Sequence, residues 1–188
     1  MNPLAQKGEL FIRFGFFLGI LILMALWEVV APRRPLATSK PARWVSNLGL
    51  VLTDSVLIRL IFPITLIGVA FLARQRGWGL LNQFQLSFWF HLCLGVLILD
   101  FAIYLQHIMF HAIPLFWRLH MVHHSDMDYD VTTGIRFHPI EIILSMGIKM
   151  GVVLLIGPLP LAIPIFEILL NGTSMFNHGN VRYPQSKI

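Results

Sequence analysis

The chain is 188 residues long, 56% hydrophobic and only 12% charged, with a formal net charge of +5. A soluble domain carries about twice that charged fraction, so the composition excludes an ordinary water-soluble domain and makes the bilayer the expected solvent. The basic excess reads as a topology signal with some attraction to anionic headgroups, and no nucleic acid is expected as a partner.

A bilayer solvent requires apolar runs of about 20 residues, and the chain supplies them. The first, residues 10–31, is interrupted only by Arg13 near its start and Glu28 near its end. It reads as a retained span, not a cleaved leader, because it is long and the basic stretch follows it. That stretch, residues 31–44, holds Arg33, Arg34, Lys40 and Arg43 and no acid, which places it in the cytoplasm by the positive-inside rule. A second span is expected over residues 48–73. It contains Asp54 and Arg59, five apart and not squarely facing, with no assigned role.

The third run, residues 84–110, contains the lone Cys93, so no internal disulfide forms. Counting crossings, it ends on the cytoplasmic side. Two shorter apolar stretches, residues 140–157 and 161–176, flank Gly157, Pro158 and Pro160. Each covers roughly 24 to 27 Å as a helix, which predicts a hairpin of two helices. The expected fold is all-α: an integral membrane helical protein with about three transmembrane helices plus a helical hairpin, and a histidine cluster on the cytoplasmic side. Residues 1–83 form the N-terminal helices and basic loop, and residues 84–188 the histidine-bearing domain.

Polar chemistry concentrates at the end of the third span. DFAIYLQHIMFH supplies Asp100, Tyr104, His107 and His111; Asp100, His107 and His111 lie within about 40 degrees of one another on a helix, with Tyr104 adjoining. Pro114 stops that helix and starts another, on which His120, His123 and His124 share a face by their spacing of three and four. Five imidazoles from neighbouring helices would repel if protonated and would be costly if buried unpaired. Metal binding uses each lone pair and removes both problems. Farther on, Glu167, Asn171, Ser174 and His178 form a polar stripe on an apolar helix, which returns His178 to the level of the first five.

Other polar residues read differently. His138 precedes Pro139, where a helix-capping role and a ligand role are both open. Glu141 sits in a first helical turn and is expected to be structural. Asp126, Asp128 and Asp130 lack the glycine and closing glutamate of a calcium loop, and are expected to be caps and acceptors for ligand histidines. His91, about 24 Å along the helix from His107, lies near the opposite membrane face.

The histidine pattern is not that of a zinc protease, since Ile108 follows His107 where a glutamate is needed. A bis-histidine haem would leave most of the cluster unexplained. More than four imidazoles exceed one tetrahedral site and suggest two metals, and two irons beside a membrane cavity suit attack by dioxygen on an unactivated C–H bond. The alternative from another class is a membrane metal-ion or proton transporter, which would string histidines across the bilayer depth.

HxxxH at 107–111, HxxHH at 120–124, DxxxY at 100–104 and HGN at 178–180 resemble the sterol desaturase and fatty acid hydroxylase superfamily over residues 100–184. The resemblance implies a membrane oxidoreductase of lipid biosynthesis or modification. It implies a centre of two irons, dioxygen as co-substrate, a fatty acyl, sterol or related lipid as substrate, and an electron donor protein or reductant. It implies that His107, His111, His120, His123, His124 and His178 are metal ligands, with His138 as a seventh candidate. Asp100 and Tyr104 are candidates for supporting His107 and His111. The family's pattern continues to a further HxxHH box, which does not occur before Ile188. The chain is therefore expected to be a fragment, inactive alone.

Overall fold

The computed structural model describes residues 3–182, with the side chains of residues 3–7, 9 and 10 excepted. Residues 183 and 184 of the family-like segment, and the end of the expected 84–188 domain, lie outside the described residues. Seven α-helices follow one another: α1 (Pro3–Val30), α2 (Lys40–Ile61), α3 (Leu66–Arg76), α4 (Phe88–Ala112), α5 (Pro114–His124), α6 (Pro139–Ile156) and α7 (Ala162–His178). Short 3-10 turns occur at Leu80–Gln83 and Thr133–Ile135. The described residues form no strand beyond a single bridge between Pro32 and Val181.

Prolines and glycines punctuate these helices for stated physical reasons. Pro114 and Pro139 occupy first-turn positions, where a missing N–H costs nothing. Gly77 and Gly157 end α3 and α6 with positive φ values of 66° and 68°. The expected single span over residues 48–73 is corrected by the structure. Helix α2 begins earlier, at Lys40, and the chain breaks at Phe62 to Thr65, where Pro63 cannot donate to the helix ladder. Thr65 then caps α3 by accepting from the Gly68 N–H at 3.2 Å.

Four stretches are long and apolar enough to cross a membrane: Phe11–Val30, Lys40–Gln83, Phe88–Ala112 and Pro139–Ile156. Large apolar side chains on them, such as Phe11, Leu23, Leu52 and Leu97, are exposed, as expected when the surrounding solvent is lipid. The protein is thus an all-helical membrane protein.

Helices α6 and α7 run antiparallel but pack mainly through α3 and α4, each of which touches both. Leu66, Ala70, Leu99, Val153, Ile163 and Phe166 fill the space where those four helices meet. The opening left between the hairpin arms toward the other end becomes a cavity. At that end, α1 closes on α7 through Leu21, Met24, Val131 and Met175.

The loop after α5 is tied down by charge. Arg43 on α2 donates to Asp126 at 2.9 and 2.7 Å, to Asp130 at 2.8 Å and to the Asp128 carbonyl. Asn47 donates to Thr132 at 2.9 Å, and Thr38 donates to Asp128 through its amide and its hydroxyl. Glu28 at the end of α1 accepts the Val131 and Asn180 amides at 2.6 and 2.9 Å. The basic 31–44 loop and the end of α7 are therefore at the same end of the molecule. The three aspartates were expected to act as caps and as acceptors for the histidines. Asp130 does cap its own turn, accepting from the Thr132 amide at 2.8 Å, but none of the three bonds to a histidine among the described residues. They instead bind Arg43, Thr38 and the loop's own threonines, because a buried guanidinium nearby offers several charged donors.

Candidate metal centre

Helix α4 brings His107 and His111 to that end, α5 brings His120, His123 and His124, and α7 brings His178. The six rings form one cluster. His120, 1% exposed, is in ring contact with His107, His111, His124 and His123 at centroid distances of 4.8, 4.9, 4.9 and 5.3 Å. Ligand atoms of His107, His111 and His120 all lie within 4.8 Å of one another.

Hydrogen bonds on the outer side of the rings decide what the inner side offers. The His123 Nδ1–H donates to the Arg136 carbonyl at 3.1 Å, and the His178 Nδ1–H to the Ser174 carbonyl at 2.8 Å. A carbonyl only accepts, so in each neutral ring the proton is on Nδ1 and Nε2 carries a bare lone pair. Those two Nε2 atoms face each other at 3.0 Å. The His120 Nδ1–H donates to Glu141 at 2.8 Å, and its buried Nε2 has no partner among the described residues. His111 Nε2 lies 3.1 Å from His107 Nε2 and 3.2 Å from His124 Nε2. Its single proton or lone pair can satisfy one of these contacts.

Lone pairs pointed at one another are repulsive unless a cation lies between them. Two nitrogens each about 2.1 Å from one ion, at an angle of 90° to 109°, are about 3.0 to 3.4 Å apart. The observed spacings fall in that range, so the donor set fits a metal. Charge agrees with geometry. Burial, followed by the neighbouring His178 and His120, pushes His123 down to about 3, and burial with His120 and His111 pushes His124 down too. Both rings are neutral at pH 7 and available as ligands.

Several holding groups escaped the sequence reading. Glu141 was expected to serve only its helix, yet its carboxylate is 4% exposed and accepts from His120. Arg136 was missed entirely. Its side chain donates to the Val122 carbonyl at 2.8 Å, Asn47 at 3.0 Å and Ser125 at 3.2 Å, so its own carbonyl is held beneath His123. Gly134 lets this turn approach α7, since a Cβ there would stand 2.6 Å from the Ser174 carbonyl.

The remaining candidates lie nearby without joining the cluster. His138 caps α6, accepting from the Ile140 N–H at 3.1 Å, and no described contact links it to the other six rings. Asp100 and Tyr104 line the cavity beside His107, with no hydrogen bond to a histidine among the described residues. His91 sits at the far end, 3.0 Å from the Gly157 carbonyl. A cavity of about 650 Å³ opens beside the cluster, reached by His107, His123 and His178 and walled partly by Ile103, Phe110, Ile135, Phe137, Ile142 and Leu170.

Residues 92–188, more than half of the chain, match the family model described as fatty acid hydroxylase. No solved structure matches the chain.

Proposed function

The chain belongs to the fatty acid hydroxylase family, a lipid hydroxylase and desaturase class of oxygenase-type membrane enzymes, and from that premise we propose that it is an iron-dependent enzyme using dioxygen and electrons from a donor protein or reductant. Its substrate is a fatty acyl, sterol or related lipid, and its histidine cluster faces the cytoplasm. One observation carries the reading: six imidazoles gather beside a largely apolar cavity with Nε2 atoms 3.0 to 3.2 Å apart, and at His123 and His178 the two lone pairs are fixed toward each other.

In this reading His107, His111, His120, His123, His124 and His178 hold the metal, two irons in all, while His138 stays the cap of α6. Bound iron would supply the redox chemistry by which dioxygen is reduced and hydrogen removed from an unactivated C–H bond. The chain's own work is to position. Glu141, the Arg136 carbonyl and the Ser174 carbonyl accept hydrogen bonds from the Nδ1–H groups of His120, His123 and His178, which aims each Nε2 inward and makes it a better metal ligand. Apolar walls from α4, α6 and α7 receive an alkyl segment and keep water from the oxidant.

A transport pathway is not favoured, because six histidines gather at one end and His91 alone occupies the other. Iron quantification on the purified chain tests the proposal. Bound iron is expected, lost in the His123→Ala, His124→Ala double variant at unchanged helicity. Metal or proton flux across proteoliposomes without bound iron would overturn it.

A further inference from the structure

The cavity holds polar groups that the metal does not use. Asp54 Oδ1 on α2, Gln106 Oε1 on α4 and Glu141 Oε2 on α6 are buried, line the same cavity, and have no hydrogen-bond partner among the described residues. Asp54 and Glu141 are 7% and 4% exposed. Leaving a buried acceptor unpaired costs about 1 to 3 kcal/mol, more for a charged one, so three in one cavity imply an occupant that brings donors. Lys149, a basic side chain on the lining, lies two helical turns beyond Glu141 on α6.

We propose that Asp54 and Gln106, with the free oxygen of Glu141, form a recognition site for a hydrogen-bond-donating group, a hydroxyl or an ammonium, on the lipid substrate. Glu141 joins the two sites: one oxygen holds His120 and the other faces the substrate's polar group. That group is thereby fixed next to the metal centre, and the alkyl part runs along the apolar walls. A lipid carboxylate is disfavoured at these oxygens, because it would face the two buried acids Asp54 and Glu141. The inference deepens the oxygenase reading and rests on it for the identity of the occupant as substrate.

Competition binding tests it, with the full chain in lipid nanodiscs and four probes of equal chain length: a primary alcohol, an amine, a methyl ether and a carboxylate. After correction for partition into the bilayer, the alcohol or the amine is expected to bind at least tenfold tighter than the ether and the carboxylate. The better of the two identifies the donor. The preference is expected to vanish in the Asp54→Leu, Gln106→Leu double variant and to survive in Thr53→Ala, whose side chain is exposed beside Asp54. Asp54→Asn keeps Oδ1 and removes the charge, so it retains an alcohol preference and weakens an amine preference, and it decides the matter should the leucine variant not fold. Equal binding of ether, alcohol and amine would overturn the inference, as would a preference that outlives loss of Asp54 and Gln106. Bound iron without any donor preference sinks this inference alone. Donor preference in a chain that binds no iron sinks the oxygenase reading alone.

Discussion

Two polar regions sit side by side at one end of this protein and obey opposite rules. Around Arg43, each strong donor meets an acceptor: the guanidinium reaches Asp126, Asp130, Thr133 and the Asp128 carbonyl. In the histidine cluster the outer nitrogens of three rings are satisfied, while the inner ones confront one another or nothing. A region that completes its own hydrogen bonds is built to hold shape. One that completes only its outer half is built to hold something else.

The largest expected effect falls on the satisfied region. Arg43→Ala would leave Asp126 and Asp130 buried without their cation, which costs about 3 to 5 kcal/mol, and denaturant unfolding in detergent should show that loss with or without metal. Chelation should act on the other region. Metal binding the folded state at a thousand times its Kd stabilises by about 4 kcal/mol, so the melting temperature should fall on metal removal in the parent protein. His123→Ala should abolish that difference while leaving the metal-free melting point close to the parent's.

Acid should separate the regions next. An unfolded histidine binds a proton below about pH 6.5, whereas folded His123 resists protonation down to about 3. In that window the unfolded chain holds more protons, so the metal-free protein loses stability as the pH falls from about 6.5, by an amount on the order of a few kcal/mol. The Arg43 region should outlast it. Burial raises Asp126, but hydrogen bonds from Arg43 and Thr133 outweigh this and hold it below the ordinary aspartate range, and the Thr38 hydrogen bonds hold Asp128 at about 2. Their contribution persists until the pH drops through the ordinary aspartate value of about 3.9. Two separated acid transitions, followed by NMR of the histidine ring protons and by circular dichroism, are the expected result. The smallest effect belongs to Glu141→Gln. An amide oxygen can still accept from His120, so metal affinity should fall only about tenfold, the low end for such supporting groups.

Much of this was legible in the chain. Apolar runs announced the membrane helices, and the three, four and seven spacings of histidine announced which rings share a face. Pro63 inside an apolar run hid a helix break, because hydropathy averages over the residue that matters. Partners across helices were harder. Nothing near Arg43 in sequence predicts Asp126, 83 positions away, and Arg136 acts through its carbonyl, a group every residue has. Glu141 was misjudged because a first-turn carboxylate already has a local explanation. Asp54 looked idle because the cavity it lines is completed by side chains from other helices far away in sequence.

X-ray absorption at the iron edge of the purified, iron-loaded chain probes the central claim most directly, because it reports what surrounds the metal without requiring turnover. A coordination shell dominated by imidazole nitrogen, lost in a His123→Ala, His178→Ala variant that keeps its helicity, is the predicted result. Iron that stays loosely hydrated, together with histidine rings that titrate like free imidazole near pH 6.5, would contradict it.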